Sequence, residues 1–491
     1  MSIELNRRAF MGTAAAGALA AAVPAFARDA YSGLDAMGQA ALVRSKQTTS
    51  LELVDAAIAR IEAVNPRVNS VVAEFFDKAR AQAKNAKLGG PLSGMPYLIK
   101  DLDDVKGEIT TSGCRMMARH VATENGAMTQ KAVDAGMIVL GKTNTPEFGL
   151  LATTESLLLK AAHNPWSLDY STGGSSGGAA SAVASGMLPV AHASDGGGSI
   201  RIPASCCGVF GMKPSRGRMN FGAREKMPGD IAVGNCVSRT VRDSAMVFAL
   251  SEDVSPHAAL KPAGFVAGPS KKRLKIAFNT LNYLGFEPHP DVKASVEATA
   301  NLCQSLGHAI VPVKDPVQGE AFLDAFLTVW ASGPAQLVAL ARSLKLKPED
   351  MLEPWTLGLA DWFSKKPKDA LSRSLSYFHV VEAQVKAFLS QYDAWLTPVL
   401  TAPPPKLGEQ APTVPFQTLY DRVTRYVTYT PTHNVAGTPA MSVPLGMSKD
   451  GLPIGSHFAA SRGGEDVLYA LAYELEQAQP WAGKHAAVWA G

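Results

Sequence analysis

The sequence predicts an α/β protein: one large domain built on a β-sheet and covered by helices. Three observations carry that expectation. Short apolar runs rich in Val, Ile and Leu alternate with amphipathic segments of helical spacing along the whole chain. Strand-like runs flank every loop-like stretch, so no linker divides the 491 residues into separate bodies. The composition, 46% hydrophobic and 18% charged, is that of a globular chain with a large buried core.

The elements follow in order. The first is a targeting segment, expected at residues 1–27 ahead of one domain at 28–491. "NRRAFMG" carries the pair Arg7-Arg8. The alanine-rich run "TAAAGALAAAVP" is too short to span a bilayer, and "AFA" at Ala25–Ala27 is an A-x-A cleavage pattern. Twin arginines before a weak apolar run point to twin-arginine export, periplasmic or secreted location, and a mature chain starting at Arg28. No other apolar run reads as long enough for a membrane helix, so no membrane association is expected after cleavage.

"TTSLELVDAAIARIEAVNP" reads as a helix: Thr49 and Glu52 form a capping box, Leu53, Val54, Ala57, Ile58, Ile61 and Val64 make one stripe, and Pro66 stops it. "GMPYLIKDLDD" reads as a buried strand ending at Lys100, "GAMTQKAVDAG" as a crossover helix, and Met137–Leu140 as the next strand, running into a loop. "LKIAFNT", "AIVPVK", "YDAWLTPVL" and "PAMSVPLG" repeat the strand theme, with a helix in "HPDVKASVEATANLCQSLGH" and a closing helix in "EDVLYALAYELEQAQPW". Residues 318 to 390 are rich in helix formers and lack strand signals, so they cover one side of the sheet; residues 401 to 416 form a proline-rich loop.

Charge and cysteine content exclude several classes. The net charge of +4 is mild, and the densest basic run, Lys271–Arg273, reads as a solvated loop, so no nucleic-acid partner is expected. The five cysteines have no C-x-x-C spacing and read as small buried apolar residues. No metal-ligand cluster and no cofactor motif is present. The sequence does not fix the oligomeric state; a homodimer is compatible with it.

Two glycine-wrapped serine clusters stand close together, "GGSSGG" around Ser175-Ser176 and "DGGGSIR" around Ser199. Glycine so dense costs chain entropy and needs a reason. In "DGGGSIR", backbone N–H groups bare of side chains can converge on one point, a nest for an anion or for the oxyanion of an attacked carbonyl. A serine at its end is placed to attack, and the alternative is a plain flexible turn. A serine nucleophile needs a base. His192 lies inside the apolar "LPVAHAS" and reads as a core residue, while His433 and His457 lack a triad pattern. Lys100, at the end of an apolar run, is a candidate: holding its amine neutral near pH 7 costs about 4 to 5 kcal/mol, which burial can supply. The alternative is a lysine reaching out to water. "GGSSGG" also satisfies G-x-S-x-G with Ser176 as attacker, but the polar "NPWSLDYST" before it is a poor strand for that elbow. It then reads as a tight turn that presents a serine to the Ser199 loop.

Residues 173 to 218 resemble the signature region of the amidase signature family, and "GMPYLIKDLDD", "GKTNTPEF", "HNPW", "NVAGTPAMSVPLG" and "GLPIG" extend the resemblance over essentially the whole mature chain. Within that family it looks most like bacterial amidases of the 6-aminohexanoate cyclic dimer hydrolase type. The resemblance implies a central mixed β-sheet with helices on both faces, and hydrolysis of a small-molecule amide through an acyl-enzyme. It implies Ser199 as nucleophile, Ser175 as bridging serine after a cis Gly174–Ser175 peptide, Lys100 as base, and the N–H groups of Gly196, Gly197, Gly198 and Ser199 as oxyanion hole. Asp195 and Arg201 are expected to brace the loop. "DGGGS" departs from members with a larger residue after the aspartate, and "ESLLLKAAHNPW" departs from their small polar pattern, which touches substrate choice. Carbamate or ester cleavage by the same apparatus, and a non-catalytic binding protein on the same fold, are the competing functions. For the substrate pocket, "EAFLDAFLTVWASGPA" offers Phe326, Thr328 and Trp330, with a plain core helix as the alternative.

Overall fold

The computed structural model describes residues 31–219, 229–317 and 319–490. The export signal expected at 1–27 lies outside these residues.

A three-stranded sheet comes first in the chain: β1 (Val71–Glu74), β2 (Pro96–Lys100) and β3 (Ile138–Thr143), in the order β1-β3-β2, with β2 and β3 parallel and β1 antiparallel to β3. The main sheet has eight strands: β4 (Val190–Asp195), β5 (Phe210–Lys213), β6 (Val233–Ser238), β7 (Lys275–Phe278), β8 (Ala309–Pro312), β9 (Ala394–Pro398), β10 (Ala440–Met447) and β11 (Pro453–Ala459). Their spatial order is β8-β7-β9-β11-β10-β5-β6-β4. The β7 pairs are parallel and the others antiparallel, so the sheet is mixed, as expected. Strand β2 lies beside β4, and the Lys100 N–H donates to His192 Nδ1 across the gap at 3.2 Å.

Helices cover both faces because side chains on a strand alternate between them. On β9, Trp395 packs with Phe322, Phe326 and Phe378, while its neighbour Leu396 packs on the other face with Phe248, Val296 and Leu468. The helices Gly177–Ala184 and Arg201–Cys207 lie against the β4 region with Ala191 and Ala193. The segment expected to be helical contains Gly319–Ser343, Pro354–Ser364 and Ala370–Leu389.

Three local expectations are corrected. Pro66 does not stop its helix, which runs from Ser50 to Val68 and ends at Asn69 in the left-handed conformation. The Asn65 side chain takes over the chain exit, accepting from the N–H groups of Ser70 and Val71. Strand β3 continues through Gly141, Lys142 and Thr143 instead of ending at Leu140. A lysine can sit there because Asp101 and Thr110 receive its ammonium inside the protein. Finally, Gly319–Ser343 is, by length and composition, apolar enough to cross a membrane, which the sequence reading did not anticipate. Here its apolar residues enter three core clusters through Phe322 and Phe326, Ala331, and Val338.

Candidate active site

Strand β2 delivers Lys100 to the interior. Its side chain is wholly buried, with Nζ 2.7 Å from Ser175 Oγ and 3.2 Å from Ser194 Oγ. Ser175 lies in the turn before helix Gly177–Ala184, and the Gly174–Ser175 peptide is cis. The glycines there are needed for space: a Cβ at 178 would lie 2.3 Å from the Asn144 nitrogen. Ser176, the alternative attacker, is turned away. Its hydroxyl donates to the Ser194 carbonyl and accepts from the Ser194 N–H, so it is a brace between the turn and β4.

Strand β4 runs straight into Gly196-Gly197-Gly198-Ser199, and Ser199 precedes the helix Arg201–Cys207. The loop is held from below by Asp195, as expected. Its carboxylate forms a two-pronged pair with Arg201 at 2.9 Å on each prong, and accepts from the N–H of Gly198 (2.8 Å) and of Ile200 (3.1 Å). Asn434 Nδ2 donates to the same carboxylate at 2.8 Å. Arg201 spends its remaining donors on Thr430 O, His457 Nε2 and Asn434 Oδ1. Thr430 Oγ1 in turn donates to the Gly197 carbonyl at 2.7 Å.

The charges beneath the loop follow from this packing. Burial alone would raise the Asp195 carboxyl, but the Arg201 guanidinium overrides it and holds the group well below the usual carboxylate range. Burial first, and Arg201 second, push His433 and His457 far below the ordinary histidine value, so both imidazoles are neutral. The same two causes bring the buried Lys213 down to about 7.

One expected oxyanion donor is corrected. The Gly198 N–H is engaged by Asp195 and points into the brace, not the cavity. The N–H groups of Gly196, Gly197 and Ser199 have no acceptor among the described residues. Gly198 is required instead by its backbone: φ is +135°, and a Cβ would lie 2.3 Å from Thr430 Oγ1 and 2.6 Å from Ile202 Cδ1.

Two cavities meet at Ser199. The wider, about 530 Å³, is also lined by Ser175, Ser194, Gly196, Ile231 and Leu337. The narrower, about 60 Å³, is lined by Gly174, Gly197, Leu323, Phe326, Leu327 and Trp355 among others. Gly149, Leu150, Ser199 and Trp330 border both. Ser199 makes no side-chain hydrogen bond among the described residues; its hydroxyl faces space that Ser175 also faces.

The expected pocket residues divide. Phe326 and Trp330 are walls, stacked with centroids 5.6 Å apart. Thr328 is not: it borders neither cavity, is fully buried, and donates to the Asp324 carbonyl of its own helix. Helical geometry is the reason, since positions four apart share a face and a position two along points away from it. Sequence reasoning missed Ser194, Thr430 and Asn434. Ser194 stands beside Asp195 in a strand that the pattern did not reveal; nothing local marks the other two. The five cysteines are free and buried, as expected.

Comparisons with known proteins place the chain in a family. The family model described as Amidase matches residues 52–468. The putative amidase AmiC of Mycobacterium tuberculosis is 38% identical over 468 residues, covering 94% of this chain and 98% of the relative. The 6-aminohexanoate-cyclic-dimer hydrolase of Pseudomonas sp. (strain NK87) is 35% identical over 488 residues, covering 92% of this chain and 96% of the relative. The solved structure of 6-aminohexanoate cyclic dimer hydrolase complexed with substrate matches with a TM-score of 0.86 at 32% identity, covering 93% of this chain and 99% of that one. With a family match and identities of this size along nearly its whole length, the chain belongs to the Amidase family of amide-bond hydrolases.

Proposed function

We propose that this chain cleaves a small amide, an anilide, or a linear or cyclic amide oligomer, with Ser199 as nucleophile, Ser175 as proton bridge and Lys100 as base. The observation that carries the reading is the fully buried Lys100 amine 2.7 Å from Ser175 Oγ, with Ser175 bordering a cavity that Ser199 also lines. The relay needs Lys100 as a neutral amine, the form that burial favours in a lysine. Ser175 passes its proton to Lys100 Nζ as it receives that of Ser199, and Ser199 Oγ bonds to the carbonyl carbon. The carbonyl oxygen becomes an oxyanion facing the N–H groups of Gly196, Gly197 and Ser199; a single such donor is worth about 10²- to 10³-fold in rate. The proton returns through Ser175 to the nitrogen, the C–N bond breaks, and the amine departs. Water then enters and gives up a proton by the same path, and the acid leaves as Ser199 recovers its proton. Hydrogen bonds of this kind are commonly open in a free enzyme and close on substrate, which accommodates the unbonded Ser199 hydroxyl.

A fluorophosphonate probe followed by peptide mass spectrometry tests the assignment. Labelling confined to Ser199, and loss of both labelling and turnover in a folded Ser199→Ala variant, support it. Turnover of any amide by that variant would overturn it. Twin-arginine export belongs to the same reading, supported by Arg7-Arg8 and the Ala25–Ala27 pattern. A secreted form beginning at Arg28 is expected; a secreted form retaining Met1 contradicts it.

A further inference from the structure

We propose that the two cavities at Ser199 divide the substrate, the narrow one holding the acyl group and the wide one the departing amine. The preferred substrate is then an amide joining a short, uncharged acyl group to a longer, uncharged amine. This assignment rests on the Ser199–Ser175–Lys100 reading above and adds direction to it.

Proton delivery sets the direction. When the tetrahedral adduct collapses, the oxyanion electron pair re-forms C=O and the C–N pair goes to nitrogen. That nitrogen takes a proton from Ser175 while Ser175 takes one from Lys100. The nitrogen must therefore lie on the side where Ser175 is exposed. Ser175 borders the wide cavity and not the narrow one. The narrow cavity has hydroxyls at Tyr283 and Thr424, but the Thr424 hydroxyl donates to the Tyr420 carbonyl, and neither is bonded to Lys100. With the amine committed to the wide cavity, the acyl substituent is left with the narrow one, whose border runs past Gly197 and Ser199.

Size and polarity then fix the substrate class. A cavity of about 60 Å³ holds roughly four to six water-sized groups. One of about 530 Å³ holds several times more. Among the described residues the narrow cavity has no charged lining residue. The wide one has only Asp195, already bound to Arg201. An ionic group held against either lining would have no free charged partner there. Phe326 borders the narrow cavity alone, its ring lying 3.1 Å from where a Cβ on Gly197 would sit. Leu337 borders the wide cavity alone.

A pair of isomers tests this directly. N-decylacetamide and N-methylundecanamide have the same composition and opposite orientation about the amide. Release of each amine by the full-length wild-type enzyme is followed by mass spectrometry, and kcat/KM is compared. The expected result is a preference of at least tenfold for N-decylacetamide. Phe326→Ala should shrink that preference at least fivefold by raising the rate on N-methylundecanamide; Leu323→Ala serves if the first variant does not fold. Leu337→Trp should shrink it from the other side by slowing N-decylacetamide. Equal rates, or preference for N-methylundecanamide, overturn the assignment, as does an enzyme labelled at Ser199 that cleaves neither isomer. An enzyme that neither takes the label nor cleaves any amide overturns the catalytic reading beneath it.

Discussion

Replacing Asp195 by asparagine probes the brace under the serine loop without changing its shape. The carboxylate is fully buried and accepts from Gly198 N, Ile200 N, Arg201 Nε, Arg201 Nη2 and Asn434 Nδ2. An amide in its place keeps one accepting oxygen and turns an NH₂ group toward donors. Arg201 loses its ion pair inside the protein. Removing one partner of a buried pair costs about 3 to 5 kcal/mol, so Asp195→Asn should lose that much stability at neutral pH. The sign with pH follows from the depressed carboxyl. Its stabilisation is fully present above the unfolded carboxylate value near 3.8 and fades as pH falls below it. The gap between wild type and variant should therefore be widest near pH 7 and narrow toward pH 3. Catalysis should suffer as well, because the Gly198 N–H no longer has a carboxylate to anchor it. A displacement of about 1 Å in the oxyanion donors costs on the order of 10²-fold in kcat. Urea unfolding at several pH values and steady-state kinetics on an anilide supply both readouts. A variant within about 1 kcal/mol of wild type and with kcat within threefold would refute the role given to Asp195.

Two other perturbations follow from the same neighbourhood. His457 is buried and neutral, so below pH 6.5 the unfolded chain takes up a proton that the folded one refuses; His457→Gln removes this acid penalty, and its stability deficit relative to wild type should shrink by about 1.4 kcal/mol between pH 7.5 and 5.5. A deficit independent of pH would show that His457 titrates in the fold as it does in the unfolded chain, and one that grows toward pH 5.5 would show that it is protonated there; either outcome contradicts a neutral buried imidazole. Gly198→Ala places a Cβ 2.3 Å from Thr430 Oγ1 on a backbone with φ of +135°, and should lower kcat about 10²-fold or more while circular dichroism stays native; wild-type turnover would mean that the loop accommodates a side chain freely.

The site was more legible than the sheet around it. Lys100, Ser175 and Ser199 stood out because each breaks a local rule: a lysine closing an apolar run, and serines set in costly glycine. Strand β2, which carries Lys100, is legible; the strands that bring the serine loop to it are not. β4, "VAHASD", and β6, "VGNCVS", are buried on both faces, so they lack the alternation that marks a half-buried strand. They tolerate His192 and Asn235 because other strands receive them, Asn235 Nδ2 donating to the Met212 carbonyl of β5. Such partners are set by pairing between distant segments, which no local window contains. The same holds for Thr430 and Asn434, which reach the loop from more than two hundred residues away. Thr328 departs for the opposite reason: its helix is legible, but it lies two positions from both Phe326 and Trp330, on the face those two leave.

The most direct test of the relay is the first turnover of Lys100→Ala. Rapid-quench measurement of amine release isolates acylation of Ser199 from the later hydrolysis. If Lys100 draws the proton through Ser175, acylation by an anilide falls about 10²- to 10⁴-fold in the folded variant, and a fluorophosphonate reacts with Ser199 correspondingly slowly. Amine release at the wild-type rate would contradict the account, because Ser199 would then be activated without the amine at position 100.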